Sequence, residues 1–286
     1  MSTDAFVLNG FRLTTLMMTG QSSQVWECVQ EGTGRRYALK LLLPERVQEA
    51  EHRKYIATEA KVGKMLQHPK IIKVFDYFPD KNNPHFVMEF FPGANMKQRL
   101  LKKSDIVTLN ATSIIEQSGE ALAYMHDKGW LHKDIKPDNI LVNGVGEVRL
   151  IDFALAEKIG GGLARLFSPR GTIKGTRSYM SPEQIRAQRL DVRADVYSFG
   201  CMMFEMFCGR PPFRADSPKA LLEKHLYEKP RTPKSLNRDL TPEIDDLIMK
   251  MLHKKPKDRF ENMHEFLAKF RGVKIFSIAP QPGTKS

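Results

Sequence analysis

Between residues 11 and 41 apolar and polar residues alternate in short runs. Phe11-Arg12-Leu13, residues 24–29 and Arg36-Tyr37-Ala38-Leu39-Lys40-Leu41 predict three half-buried strands. Residues 45–66 are charged with spaced apolar positions and predict a helix that stops at His68-Pro69. Two more strands are predicted over 71–77 and 85–90, separated by a polar turn at 80–84. From Ser104 the pattern turns helical. Ile114, Ser118, Leu122 and Met125 share one face, with Ile115 beside it, and the helix ends near Gly129. The apolar runs Ile140-Leu141-Val142 and Val148-Arg149-Leu150-Ile151, joined by Asn143-Gly144-Val145-Gly146, predict a hairpin. Helical patterns continue through Leu221, through Ile244, Leu247 and Met251, and over 263–270. After Gly272 the residues Pro280, Pro282 and Gly283 predict a frayed end.

The hairpin brings Asn139 and Asp152 to its open end, with Asp134 on the loop before it. An Asn and an Asp converging there can chelate a hard cation such as Mg2+, which in turn holds phosphate oxygens. A hydrophobic share of 41% supports a real core. The absence of a run of 18 or more apolar residues predicts no membrane span. Met1-Ser2-Thr3-Asp4 lacks a basic region followed by an apolar one, so no signal peptide is expected. Cys28, Cys201 and Cys208 show no metal-ligand pattern and read as reduced thiols of a cytoplasmic protein. Lys and Arg exceed Asp and Glu by 12, a balance that favours acidic partners such as nucleotide or phosphopeptide. With no zinc-finger spacing and no RNA-binding aromatic motif, specific nucleic-acid binding is not expected.

His132-Lys133-Asp134-Ile135-Lys136-Pro137-Asp138-Asn139 resembles the catalytic loop of eukaryotic-type Ser/Thr protein kinases, and Asp152-Phe153-Ala154 resembles their Asp-Phe-Gly metal motif. The resemblance covers residues 10–272. It implies an α+β, bilobal fold: a small lobe of five antiparallel strands and one helix over about 10–88, a hinge at 89–93, a larger helical lobe over 94–272, and a flexible tail at 273–286. It implies transfer of the ATP γ-phosphoryl to Ser or Thr hydroxyls of proteins, with ATP and Mg2+ as cofactors and Mn2+ as an alternative ion. By the same resemblance Asp134 accepts the proton of the substrate hydroxyl, Lys136 neutralises the transferring phosphoryl, and Asn139 and Asp152 hold the metal. Lys40, in Tyr37-Ala38-Leu39-Lys40, contacts the α/β-phosphates and pairs with Glu59. Gly20 belongs to the loop that covers the phosphates. The Phe91 N–H and the Glu89 carbonyl bond adenine, Met88 stands behind it, Asn95 meets the ribose, and Val25, Ala38 and Leu141 sandwich the purine. Thr176 bonds Asp134 and Lys136, a mark of Ser/Thr specificity. Glu183 pairs with Arg259, and Asp195, on the central helix of the large lobe, accepts bonds from the catalytic-loop backbone.

Five departures from the family pattern carry expectations of their own. Met18 and Ser23 replace the outer glycines of the phosphate loop and weaken or reshape that contact. Gly63 replaces a large apolar residue one turn after Glu59, which predicts a gap beside Phe153, filled by Met65 or Leu66. Lys133 replaces an arginine that grips an activation-loop phosphate; a lysine pairs only as a point charge, so dependence on that phosphate need not follow the family. Ala154 replaces a glycine and restricts the motif's backbone. Residues 155–177 form the expected activation loop, with Ser168 and Thr172 as candidate phosphosites and Arg165 and Arg170 as candidate ligands of phosphate or acidic substrate. The alternative reading is a low-activity, pseudokinase-like scaffold that binds ATP. The retention of Lys40, Glu59, Asp134, Asn139 and Asp152 favours an active enzyme.

Overall fold

The computed structural model describes residues 6–160 and 176–281. Ser168, Thr172, Arg165 and Arg170 lie outside the described residues, as do Pro282 and Gly283. The chain divides into two compact units: Met1–Pro92 with Asp152–Ala154, and Gly93–Ile151 with Leu155–Ser286.

The first unit holds β1 (Val7–Leu8), β2 (Phe11–Thr19), β3 (Ser23–Gln30), β4 (Arg36–Leu42), α1 (Ala50–Met65), β5 (Val74–Phe78) and β6 (His85–Glu89). Its strands form one antiparallel sheet in the order β1-β2-β3-β4-β6-β5. The sheet thus has six strands where five were expected. The extra strand is made by Asn9-Gly10, both with positive φ (49° and 81°), which turn Leu8 back onto Phe11. Asn-Gly is the strongest short hairpin signal, but two residues are too few to show a period. Phe11, Leu13, Cys28, Leu39, Leu41 and Val87 form one buried cluster of this unit. Ile56 and Ala60 of α1 pack with Val74 and Phe86 in another. The helix begins later than its charge pattern suggests, because residues 44–46 form a separate 3-10 turn opened by Pro44.

The second unit holds β7 (Gly93–Asn95), α2 (Met96–Leu101), α3 (Asp105–Leu109), α4 (Ala111–Asp127), β8 (Trp130–Leu131), β9 (Ile140–Asn143), β10 (Val148–Leu150) and β11 (Glu157–Lys158). It continues with α5 (Pro182–Ile185), α6 (Val192–Cys208), α7 (Pro218–Tyr227), α8 (Pro233–Leu236), α9 (Pro242–Met251) and α10 (Met263–Phe270). The predicted hairpin forms, with Val148, Arg149 and Leu150 opposite Val142, Leu141 and Ile140. The helix expected from Ser104 is broken at Asn110, whose Nδ2 donates to the Ile106 carbonyl and so ends α3. Every residue of α6 from Ala194 to Phe207 is buried, Asp195, Ser198 and Glu205 among them, so the helix is enclosed on all sides. Asp191 caps its start by accepting from the Arg193 N–H, and Gly209, at φ 66°, ends it. Ser217, Thr232 and Thr241 cap α7, α8 and α9, each followed by a proline that needs no hydrogen-bond partner there.

The tail departs from expectation over 274–277. Ile275 is buried, its carbonyl accepts from the Thr241 N–H, and the Ser277 N–H donates to the Asp239 carbonyl. Phe276 meets the Phe207 ring edge-on. Two apolar residues anchor this stretch, so a flexible end cannot begin at 273. Among the described residues no helix is long and apolar enough to cross a membrane.

Candidate active site

In the first unit, strand pairing sets Lys40 between Val25 on β3 and Phe86 on β6. Its Nζ lies 2.8 and 2.7 Å from the two carboxylate oxygens of Glu59, which stands on the buried face of α1. Burial works against the Lys40 charge, but the carboxylates of Asp152 and Glu59 outweigh it and hold its pKa above the ordinary value. Burial, with Asp152 adding to it against the pull of Lys40, pushes Glu59 up to about 7.

Gly20 stands in the turn between β2 and β3, where its N–H donates to the Ser23 carbonyl. Met18 pairs with Val25 across those strands and is exposed. Ala38 is buried on β4 directly opposite Met88 on β6. Glu89 ends β6 and donates its N–H to the Lys73 carbonyl, and Phe91 is buried two residues on.

The expected gap beside Phe153 does not exist. A methyl group on Gly63 would stand 2.4 Å from Val74 Cγ2 and 3.6 Å from Phe153 Cδ2, so the β5 valine already occupies the space. Phe153 is fully buried, while Met65, one of the two residues expected to fill the gap, is exposed. Asp152 has φ +67°, the left-handed region that costs a non-glycine residue conformational energy. Ala154 lies outside that region, so its methyl group adds no strain in this state.

In the second unit, the loop from His132 to Asn139 is fixed from below by one carboxylate. Asp195, near the start of α6, accepts from the backbone N–H of His132 and of Lys133, each at 2.8 Å, and from His126 Nε2 at 2.9 Å. Burial alone would raise its pKa; the bond from His126 and the charges and N–H groups around it hold it below the ordinary value. The His132 ring is buried and bridges the loop. Its Nδ1 accepts from the Asp134 N–H at 3.3 Å, which leaves Nε2–H to donate to the Ile151 carbonyl at 3.1 Å.

Above this floor the polar side chains converge. Lys136 Nζ donates to Asp134 Oδ2 at 2.6 Å and to Thr176 Oγ1 at 2.7 Å. The Thr176 N–H reaches Asp134 Oδ1 at 3.1 Å. Asn139 Nδ2 donates to the Asp134 carbonyl at 2.8 Å, so its Oδ1 is the atom turned to other partners. That oxygen is a hard donor of the kind Mg2+ takes. Leu141 is half-buried on β9, opposite Asn95 on β7. Asn95 caps α2, its Oδ1 accepting from the Gln98 N–H at 2.8 Å, so the residue assigned to ribose also has a structural task.

Arg259 and Glu183 are both buried and joined by two bonds of 2.6 and 2.9 Å. The remaining Arg259 donors reach the carbonyls of Arg193, His253 and Lys254, so all five N–H groups of the guanidinium are used. Two partners of the loop from His132 to Asn139 escape sequence reasoning. Glu157 on β11 receives Lys133 Nζ at 2.6 Å, and Gln184 Nε2 donates to the Lys133 carbonyl at 3.0 Å. Neither carries a sequence signal beyond Ser181 and Gln184 being spaced as a capping box.

A family model described as protein kinase domain matches residues 11–269. The probable serine/threonine-protein kinase PknB of Corynebacterium glutamicum is 31% identical over 270 residues, covering 92% of this chain and 42% of the relative. The serine/threonine-protein kinase PknB of Mycolicibacterium smegmatis is 30% identical over 272 residues, covering 94% and 43%. The serine/threonine-protein kinase PknA of Mycobacterium tuberculosis is 32% identical over 277 residues, covering 95% and 63%. The chain therefore spans less than two thirds of the length of these relatives. Matched from residue 11 to residue 269, it belongs to the protein kinase domain family.

Proposed function

We propose that the chain is a Ser/Thr protein kinase that transfers the γ-phosphoryl of ATP to protein hydroxyls, with residues 10–272 as its catalytic domain. The observation that carries this reading is the linkage of Asp134, Lys136 and Thr176 by bonds of 2.6, 2.7 and 3.1 Å. In the step proposed, the substrate hydroxyl oxygen bonds to the γ-phosphorus as the bond to the β–γ bridging oxygen breaks and ADP leaves. The hydroxyl proton passes to the Asp134 carboxylate. Lys136 offsets charge on the moving phosphoryl, and Lys40, held charged by its two acids, contacts the α/β-phosphates. A divalent cation held by Asn139 and Asp152, taken as Mg2+ with Mn2+ as the alternative, would neutralise phosphate oxygens. Glu89, Phe91, Met88, Val25, Ala38 and Leu141 are proposed for the base, Asn95 for the ribose, and Gly20 for the phosphates.

The three cysteines are free, and a reducing, cytoplasmic setting is proposed for this domain. The test is phosphate incorporation from Mg-ATP into a generic basic protein, measured beside Asp134→Ala. Transfer by the wild type that is lost in Asp134→Ala and in Lys40→Met is the expected result. Equal incorporation by wild type and Asp134→Ala would sink the reading. The scaffold alternative, motivated by Met18, Ser23, Gly63 and Ala154, predicts nucleotide binding without transfer in the same assay.

A further inference from the structure

Lys133 adopts φ +69°, a backbone conformation that residues with a side chain rarely take. Something must hold it there, because Asp134 follows directly. The structure supplies three restraints: the Lys133 N–H donates to Asp195, its carbonyl accepts from Gln184, and its ammonium meets Glu157 Oε2 at 2.6 Å. The third comes from β11, which pairs with the strand leading into the loop, Glu157 opposite Leu131 and Lys158 opposite Trp130. The Lys158 ammonium lies over the Trp130 ring at 5.8 Å and adds to that hold. Glu157 is therefore carried to Lys133 by backbone pairing, and does not depend on a long side chain finding it.

The pairing has an electrostatic consequence. The cation at 133 is neutralised within the chain. A phosphate arriving at Lys133 would have to displace a carboxylate already bonded there and would meet like-charge repulsion from it. We infer that Glu157 is a positioning residue: it supplies, as a fixed part of the chain, the anion that sets Lys133 and the catalytic loop, so that transfer does not require a phosphate on the activation loop. This rests on the phosphoryl-transfer reading above. Glu157 and Lys133 side chains are 30% and 21% exposed, so removing the pair leaves no buried charge stranded and the fold should survive.

The test uses wild type, E157Q, K133M and the double variant, each assayed before and after exhaustive phosphatase treatment. Mass spectrometry confirms the phosphorylation state and thermal melting confirms folding. The wild type is expected to keep its kcat when fully dephosphorylated. Dephosphorylated E157Q is expected to lose about tenfold in kcat with its KM for ATP unchanged, and the double variant to lose no more than either single one. Should E157Q fail to fold, K133M carries the same expected loss. A wild type that loses its activity with its phosphate, or a folded E157Q that matches the wild type, overturns the inference while leaving the kinase reading intact. A wild type no better than Asp134→Ala overturns the kinase reading, and this inference with it.

Discussion

The turn between β2 and β3 and the loop from His132 to Asn139 are both assigned to phosphoryl transfer, and they are held by different means. The turn has backbone bonds, Gly20 N–H to Ser23 and Leu43 N–H to Ser22, and its flanking Met18 is exposed. The loop rests on a buried carboxylate that takes two of its N–H groups, and it is crossed by the His132 ring and by the Lys136 bonds to Asp134 and Thr176. The first can change residue type at little structural cost, which is where Met18 and Ser23 depart from the family. In the second, side chains are tied to side chains, as Lys133 is to Glu157, so a substitution there also removes a contact from its partner.

Removing the floor of the loop should break the comparison most severely. Asp195→Ala would strand three buried donors, and we expect a loss of about 3–5 kcal/mol in urea unfolding together with loss of transfer. A core change in the first unit should cost less. Gly63→Leu forces a side chain onto Val74, for a loss of about 1–3 kcal/mol, and adding Val74→Ala should restore part of it. Retention of full stability by Gly63→Leu alone would mean that α1 and β5 separate easily.

These two expectations also mark what sequence could and could not convey. Asp134, Lys136, Asn139 and Asp152 fall within two short windows, and β3 and β4 are short apolar-rich runs bounded by turn residues, so the core of the site and most elements could be read directly. Val74 could not be read as the filler of the space at Gly63, because the contact joins a helix and a strand with no pattern linking them. Glu157 is 24 residues from Lys133 and its strand is two residues long, too short to show a period. The pinned residues 274–277 were hidden by the prolines and glycine that follow them.

A smaller effect should appear with acid. Burial, aided by repulsion from Lys254, lowers His225 from 6.5 to about 3. Its Nδ1 lies 2.9 Å from the Tyr197 hydroxyl and so ties α7 to α6. The unfolded chain binds this proton near pH 6.5 and the folded chain only near 3. The stability it confers is whole above the upper value and is lost as pH falls through the window, by up to about 1.4 kcal/mol per pH unit. Urea midpoints between pH 7 and 5 should decline less steeply in His225→Asn; an identical decline would assign the acid sensitivity elsewhere. The smallest structural effect is expected at the β2–β3 turn. Ser23→Gly should shift stability by less than about 0.5 kcal/mol yet lower the KM for ATP by about threefold, as backbone N–H groups approach phosphate more closely.

The fully bonded Arg259 has a consequence for how the chain is made. Its guanidinium closes on Glu183, which precedes it by 76 residues, and on carbonyls at 193, 253 and 254. At about 5–20 residues per second, a nascent chain would wait roughly 4–15 s after Glu183 is added before its partner exists. For that interval the acid and the apolar flank of α6 have no native cover. The first unit is built by Pro92 except for residues 152–154, which follow 60 residues later, roughly 3–12 s at the same rate. The second unit waits longer and holds a buried acid while it waits, so it is the part of this chain where a holding chaperone would matter most.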